Sequence, residues 1–351
     1  MLRNSDTDTA TPILLTPQTP PRVCARQLIL ERVAELVKHE AGTRAGEDIE
    51  ALHDMRVASR RLREALEIFQ FCFPPKTYTR LYERVRRITR ALGQARNADV
   101  AVDYFSKLLV DSHDLIAQVA LQDILRRLAR QQTQRRAEMQ RELDKVRPTE
   151  LLSRFEKTFE KLALIAASRQ RGSRTALQLA RRLFSQRLRE VFACRRLITA
   201  ETDAEALHNL RIAVKKLRYA LETLHFAAGE AVKENIKFFK VLQTTLGDLH
   251  DRDVFLEIIQ TRAAKLKKQS FAEHLLNGYE PIFSSIALQR HDFYVEYVKL
   301  FGRAKIQEWR SRLIPPPPIK PAPVAMPSEP LPAINPVPVY TETTEIVLNT
   351  Q

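Results

Sequence analysis

The residues best placed to do chemistry are cations. His53, Arg56, Arg60 and Arg63 recur three, four and three residues apart, and His208, Arg211, Lys215 and Arg218 repeat both order and spacing. At 100° per residue each set forms one stripe on adjacent helical turns, about 15 Å long at a rise of about 1.5 Å per residue. Like charges so placed cost a few tenths of a kcal/mol per pair, about 0.2–0.5. Glu67 and Glu222 stand near the end of each stripe and do not neutralise it. The natural partner is an extended row of negative charge. Arginine forks match phosphate oxygens, and histidine or lysine adds single donors.

Each histidine opens its stripe beside an acidic helix start, Asp48 and Glu50 in one case, Asp203 and Glu205 in the other. The expected role is a phosphate donor that is protonated when the anion arrives, because an adjacent polyanion raises a histidine pKa. Neither stripe offers a histidine or carboxylate at i+4 on the same face, so no metal and no cofactor are expected. The sequence has no P-loop, no glycine-rich phosphate cradle and no paired carboxylates beside the stripes to hold Mg²⁺. Binding, not catalysis, is the chemistry these residues fit. A phosphotransferase using His53 or His208 as acceptor is the enzymatic alternative.

The elements that carry the stripes are an internal repeat. Residues 52–67 read LHDMRVASRRLREALE and residues 207–222 read LHNLRIAVKKLRYALE, identical at nine of sixteen positions at an offset of 155. Residues 92–100, LGQARNADV, and 246–254, LGDLHDRDV, keep nearly the same spacing. The chain reads as a duplicated helical unit. Beside the cations, Met55, Ser59, Leu62, Leu66 and Phe69 in one copy and Leu210, Val214, Leu217, Leu221 and Leu224 in the other form the stripe expected to be buried. In the second block Gly93 and Gly247 suit a left-handed helix end, with Asn97 and Asp251 as caps of a following helix and Asp99 and Asp253 in its first turn. Aligned cations extend the site: Arg26 and Arg32 match Arg181 and Arg187, and Arg86 matches Lys240. Arg126, Arg127, Arg135 and Arg136 have no such matches and read as ordinary exposed charge.

Periodicity predicts helices near 22–41, 48–73, 76–94, 97–110, 113–146 and 150–169, then near 173–199, 203–227, 230–246, 250–268, 270–279 and 282–312. Eight glycines in 351 residues and an abundance of strong helix formers place the chain in the all-α class. The net charge is +15, but the first 21 residues carry −1 and residues 314–351 carry −2, which leaves +18 on residues 22–313. That excess implies an anionic partner: a polyphosphate, a nucleic acid or an anionic membrane face. No apolar run is long enough to span a bilayer. Three scattered cysteines, Cys24, Cys72 and Cys194, fit a reducing cytoplasm. Residues 1–21 and 314–351 read as disordered tails; the second holds eleven of the nineteen prolines and favours extended geometry that packs no core. It has the character of a flexible segment that protein partners can use.

The paired motif H-x-x-R-x-x-x-[RK]-[RK]-L-R, each copy followed by its LG block, resembles the conserved histidine α-helical domain (CHAD) family over residues 22–313. The resemblance implies two four-helix bundles related by a pseudo-two-fold axis, with accessory helices, around a basic central groove or pore. The halves fall at about 22–147 and 173–313. It also implies binding of inorganic polyphosphate and association with polyphosphate granules, with His53, Arg56, Arg60, Arg63, His208, Arg211, Lys215 and Arg218 as binding residues. Nucleic-acid binding is the competing reading, but the stripes lack aromatic platforms, and Tyr219 has Glu64 as its counterpart. Lys215 and Lys216 replace two arginines of the first copy. Nothing matches the E-x-E-x-K strand motif of the triphosphatase domain that many relatives carry.

Overall fold

The computed structural model describes residues 13–46, 49–167, 175–268 and 273–314. Their helices are α1 (Pro21–Lys38), α2 (Glu40–Ala45), α3 (Ile49–Ile68), α4 (Pro75–Asp111), α5 (Leu115–Val146), α6 (Pro148–Ala167), α7 (Ala176–Arg196), α8 (Ala204–Ala228), α9 (Ala231–Leu266), α10 (Glu273–Tyr297) and α11 (Ile306–Leu313). A 3₁₀ turn (Gln70–Cys72) follows α3 and a π-helical turn (Val298–Gly302) follows α10. The described residues contain no β-strand.

Local chemistry explains the starts of several helices. Pro75 and Pro148 occupy first positions, where the missing N–H has no partner to lose. Asp114 caps α5 by accepting from the Ile116 N–H at 2.9 Å, and Thr175 and Gln178 form a reciprocal capping box on α7. The order of elements repeats: α1, α3, α4, α5 and α6 are followed by α7 to α11 in the same succession, with α1 and α7, and α3 and α8, starting 155 residues apart.

The stripes expected inside are inside. Met55, Ser59, Leu62, Leu66 and Phe69, and Leu210, Val214, Leu217, Leu221 and Leu224, are all fully buried. The two copies share their cores. One cluster joins Ile29, Leu62, Ile88 and Phe155 with Phe184, Leu217, Phe239 and Leu313, so it spans α1, α3, α4 and α6 together with α7, α8, α9 and α11. The other gathers the far ends of α4 and α9 with α5 and α10 around Phe105, Leu121, Phe255 and Ile286. There Asp123 of α5 accepts from Arg262 of α9 at 2.5 Å and from the Tyr279 hydroxyl of α10 at 2.8 Å. Burial alone would raise the Asp123 carboxyl, but these two donors hold it below its ordinary value.

Several expectations need correction. Residues 76–94 and 97–110 are one helix, α4, and residues 230–246 and 250–268 are one helix, α9. Gly93 and Gly247 therefore end nothing; the glycines with positive φ among the described residues are Gly46 and Gly229. Asn97 and Asp251 are interior helix residues, and Asp99 and Asp253 bind across helices. Asp99, 1% exposed, accepts from Gln132 at 2.7 Å, and Asp253 accepts from Arg290 at 2.5 Å. Arg136 is not idle surface charge, since it meets Asp99 at 3.3 Å. The two helices expected over 270–279 and 282–312 become α10, which runs through Pro281, and α11. Pro281 removes one backbone bond, and buried Tyr279, Ile282 and Ile286 on both sides of it keep the helix on the core. At the N-terminus, Leu15 packs on the larger cluster, and Thr19 and Pro17 accept backbone bonds from Ala176 and Leu177 at 3.0 and 2.9 Å. The last residues of the expected N-terminal tail thus join the fold. Residues 1–12 and 315–351, with Asp48, lie outside the described residues.

A glycine contrast tests this packing. A Cβ on Gly278 would lie 2.5 Å from the Ile116 carbonyl oxygen, whereas one on Gly93 would meet its nearest neighbour at 3.8 Å. Gly278→Ala is expected to lower unfolding free energy by about 1–3 kcal/mol by forcing α10 off α5. Gly93→Ala is expected to raise it by about 0.5–1 kcal/mol. Urea unfolding of both variants checks the opposite signs.

Candidate anion-binding groove

Packing of α3 on α8 brings the two cationic stripes together. The stripes adjoin buried apolar rows, so each basic side chain leaves its helix beside the interface instead of pointing to open water. Tyr219 of α8 lies between them, 3% exposed. Its ring stands 5.5 Å from the Arg60 guanidinium and 4.5 Å from that of Arg218. Arg56 and Arg60 of α3 are close enough to Arg211 of α8 to depress one another electrostatically.

The glycines of the second repeated block face the motif arginines. The nearest neighbour of a Cβ on Gly93 would be Arg56 Nε, at 3.8 Å, and of one on Gly247 Arg211 Nε, also at 3.8 Å. Each motif arginine thus passes a bare stretch of the following helix, α4 in one copy and α9 in the other. The paired glycines mark the positions of α4 and α9 nearest these arginines and end neither helix. On a continuous helix, Gly247, His250 and Asp251 share one face, three and four residues apart.

Electrostatics divide the seam between α3 and α8 into two ends. At one end stand Arg56, Arg60, Arg211 and Lys215, half-buried, and among the described residues none of them forms an ion pair. Burial, then Arg60, pushes Arg56 down to about 10. Burial likewise lowers Arg60 and Arg211. Lys215 falls to about 7, through burial first and then Arg60, Arg63 and Arg211. Asp251 of α9 is the acid facing Arg211 and Arg56, and its own pKa is raised by burial.

His208 borders this end, with Nδ1 3.3 Å from Nδ1 of His250 on α9. Burial, then Arg211 and Lys215, lowers His208, while Asp253 opposes them. His250 falls to about 4 through burial, Arg211 and His208. Burial and the neighbouring cations thus favour the neutral form of both imidazoles. His53 is half-buried on α3, and the residue at the His250 position of the first copy is Arg96.

The other end is neutralised by the protein itself, contrary to expectation. Arg218, 8% exposed, donates to Glu222 at 2.6 Å and to Gln243 at 2.9 Å. Arg63 stands 3.9 Å from Glu67, whose carboxylate also accepts from the Tyr82 hydroxyl at 2.6 Å. Glu64, 2% exposed, is pushed up to about 7 by burial and by Glu67. Glu222 and Glu67 are i+4 neighbours of the arginines on their own helices, and a second helix adds Gln243 to Arg218 and Arg187 to Glu64.

The secondary cations scatter. Arg187 reaches α3 through Glu64 at 3.6 Å and also holds Glu190 at 2.9 Å. Arg32 pairs with Glu35 at 3.1 Å and Arg86 with Glu83 at 3.0 Å. Arg26 and Lys240 are exposed, and Arg181 is partly exposed. No group of three or more histidine, cysteine, aspartate or glutamate side chains among the described residues can hold a metal. No helix among them is long and apolar enough to cross a membrane.

Comparison with known proteins bears on the fold and the family. Two curated relatives from Mycobacterium tuberculosis, both described as uncharacterized proteins, are 26% identical over 246 residues, covering 68% of this chain and 45% of their own length. The chain thus spans less than half of those relatives. The CHAD domain from the plant Ricinus communis superposes with a TM-score of 0.58 at 21% identity over 87% of this chain and 95% of that structure. PptA from Streptomyces chartreusis superposes with a TM-score of 0.59 at 15% identity over 81% of this chain and 100% of that one. At such identities these two likenesses speak for the fold. Residues 27–260, two thirds of the sequence, match the CHAD domain family, and the chain belongs to that family.

Proposed function

We propose that this protein binds inorganic polyphosphate in the groove between α3 and α8, and that this binding carries it to polyphosphate granules. The observation that carries the reading is the end of the groove where Arg56, Arg60, Arg211 and Lys215 face one another half-buried without an ion pair. Holding four cations out of water against mutual repulsion is unfavourable until an anion arrives. A linear phosphate polymer supplies closely spaced charges to both helices at once, and its counterions leave on binding. The family's association with polyphosphate supports the same ligand. Arg63, Arg218 and Arg187, held by internal acids, frame the groove, and His53 and His208 flank the open end as additional donors.

Nucleic acid fits less well. Single-strand binders stack bases on exposed aromatics, and the aromatic in this groove, Tyr219, is buried between two guanidinium groups. The groove holds charges and neutral imidazoles in a binding arrangement, so we read its role as binding without catalysis. The proline-rich C-terminal sequence is then available to partner proteins.

Two measurements test the reading. Arg56→Ala with Arg211→Ala is expected to weaken polyphosphate binding at least tenfold, since charge-assisted bonds contribute about 1.5–3 kcal/mol each, and to flatten the salt dependence in a calorimetric titration. Affinity that ignores both salt and the substitutions contradicts it. Proton linkage is the second test. Lys215 is lowered to about 7 when the groove is empty, and a bound anion raises it, so binding takes up a proton above that value. Affinity should therefore tighten as pH falls from 8 to 6, by up to about tenfold per unit for one proton. Lys215→Arg should reduce the slope, and Glu64→Gln should remove a further part, since protonating Glu64 near 7 acts in the same direction. A profile that both variants leave unchanged excludes this linkage.

A further inference from the structure

The outer surface of the first copy carries a second set of cations that the groove does not use. Arg80, Arg84, Arg87 and Arg90 lie along one face of α4, a row about 15 Å long at about 1.5 Å per residue. Between α4 and α5 the surface sinks into a cleft of about 420 Å³ whose lining includes Arg87, Arg90, Gln94, Arg141, Glu142 and Lys145. Glu142 is shared, 2.9 Å from both Arg87 and Lys145. The other acid of the lining, Glu138, is bound by Arg135 at 2.7 Å. Arg90 and Arg141 are exposed and form no ion pair among the described residues. Arg84 continues the row beside Arg80, Arg87 and Arg154 of α6.

The fold does not require this charge. At an offset of 154, the second copy has Phe238, Val241 and Thr244 where the first has Arg84, Arg87 and Arg90. There Phe238 packs on Trp309 of α11, ring centroids 4.5 Å apart. The positions of α9 that match Arg84, Arg87 and Arg90 thus carry no cation, and the arginine row belongs to one copy alone. Gln94 lines the cleft, and the preceding residue, Gly93, about 100° round α4, is the one whose Cβ would meet Arg56 Nε at 3.8 Å, so a chain leaving the groove crosses over α4 to reach the cleft.

We propose that this cleft is a second contact for the same phosphate polymer, taken up by the part of a long chain that extends beyond the groove and wraps over α4. The inference rests on the groove reading above. Aromatic side chains are absent from the lining, which favours a polymer recognised by charge alone over one recognised by stacking. Once the groove holds one part of the chain, the overhang meets the cleft at high effective concentration, so affinity grows with chain length without a new binding partner.

The test compares Arg90→Glu with Arg141→Glu, combined, against wild type, using tripolyphosphate, long-chain polyphosphate and duplex DNA as probes. Helical circular dichroism and a thermal melt confirm that the surface variant is folded. The expected result is a loss of about tenfold or more for long-chain polyphosphate, a salt slope shallower by about two, and a change of less than about twofold for tripolyphosphate. Unchanged long-chain affinity overturns the cleft while leaving the groove intact. Equal losses for both polyphosphates also overturn it, because the cleft would then not be specific to the overhang. Loss confined to DNA assigns the surface to nucleic acid and overturns it as well. Wild type that binds neither polyphosphate is the separate failure of the groove reading.

Discussion

The structure depends on one electrostatic constraint: two helices must press together while each keeps a row of positive side chains at the seam. The buried stripes of α3 and α8 supply the attraction. Met55, Leu62 and Leu66, with Leu210, Leu217 and Leu221, are all fully buried, and each such side chain contributes about 1.5–3 kcal/mol relative to exposure. That gain offsets the repulsion along the basic rows and allows a half-buried cationic space to persist inside a folded protein. Without it, +18 on residues 22–313 would favour expansion.

The remaining elements distribute that charge. Acids are gathered at one end, where Glu64, Glu67 and Glu222 meet Arg187, Arg63 and Arg218. They are withheld from the other, where Asp251 is near Arg211 and Arg56 without an ion pair to either. Gly93 and Gly247 face the motif arginines on α4 and α9, where a Cβ would sit in ordinary contact with Arg56 and Arg211, so each glycine costs its helix about 1 kcal/mol relative to alanine. A duplicated fold has been loaded unequally. Lys215 stands where the first copy has Arg60, His250 where it has Arg96, and Phe238 where it has Arg84. The two halves share a scaffold and differ in the side chains that matched positions carry.

Much of this was legible in the residues. Helical periodicity, the scarcity of glycine and the 155-residue repeat determined the all-α class, the repeated order of helices and the buried stripes, because side-chain spacing on a helix is a local property and burial follows it. The basic stripes were likewise legible as stripes, down to the matching order of His208, Arg211, Lys215 and Arg218 with His53, Arg56, Arg60 and Arg63.

Only tertiary packing decided what those charges face. That Gly93 lies inside a helix facing Arg56 depends on a neighbouring helix, and so does the bond from Arg218 to Gln243, whereas Glu222 is an i+4 neighbour on the same helix. The sequence determines which side chains share a helical face, since that geometry repeats every few residues. Desolvation and ion pairing depend on distances between segments far apart in the chain, and these set the open end of the groove, the lowered Lys215 and the shared cores.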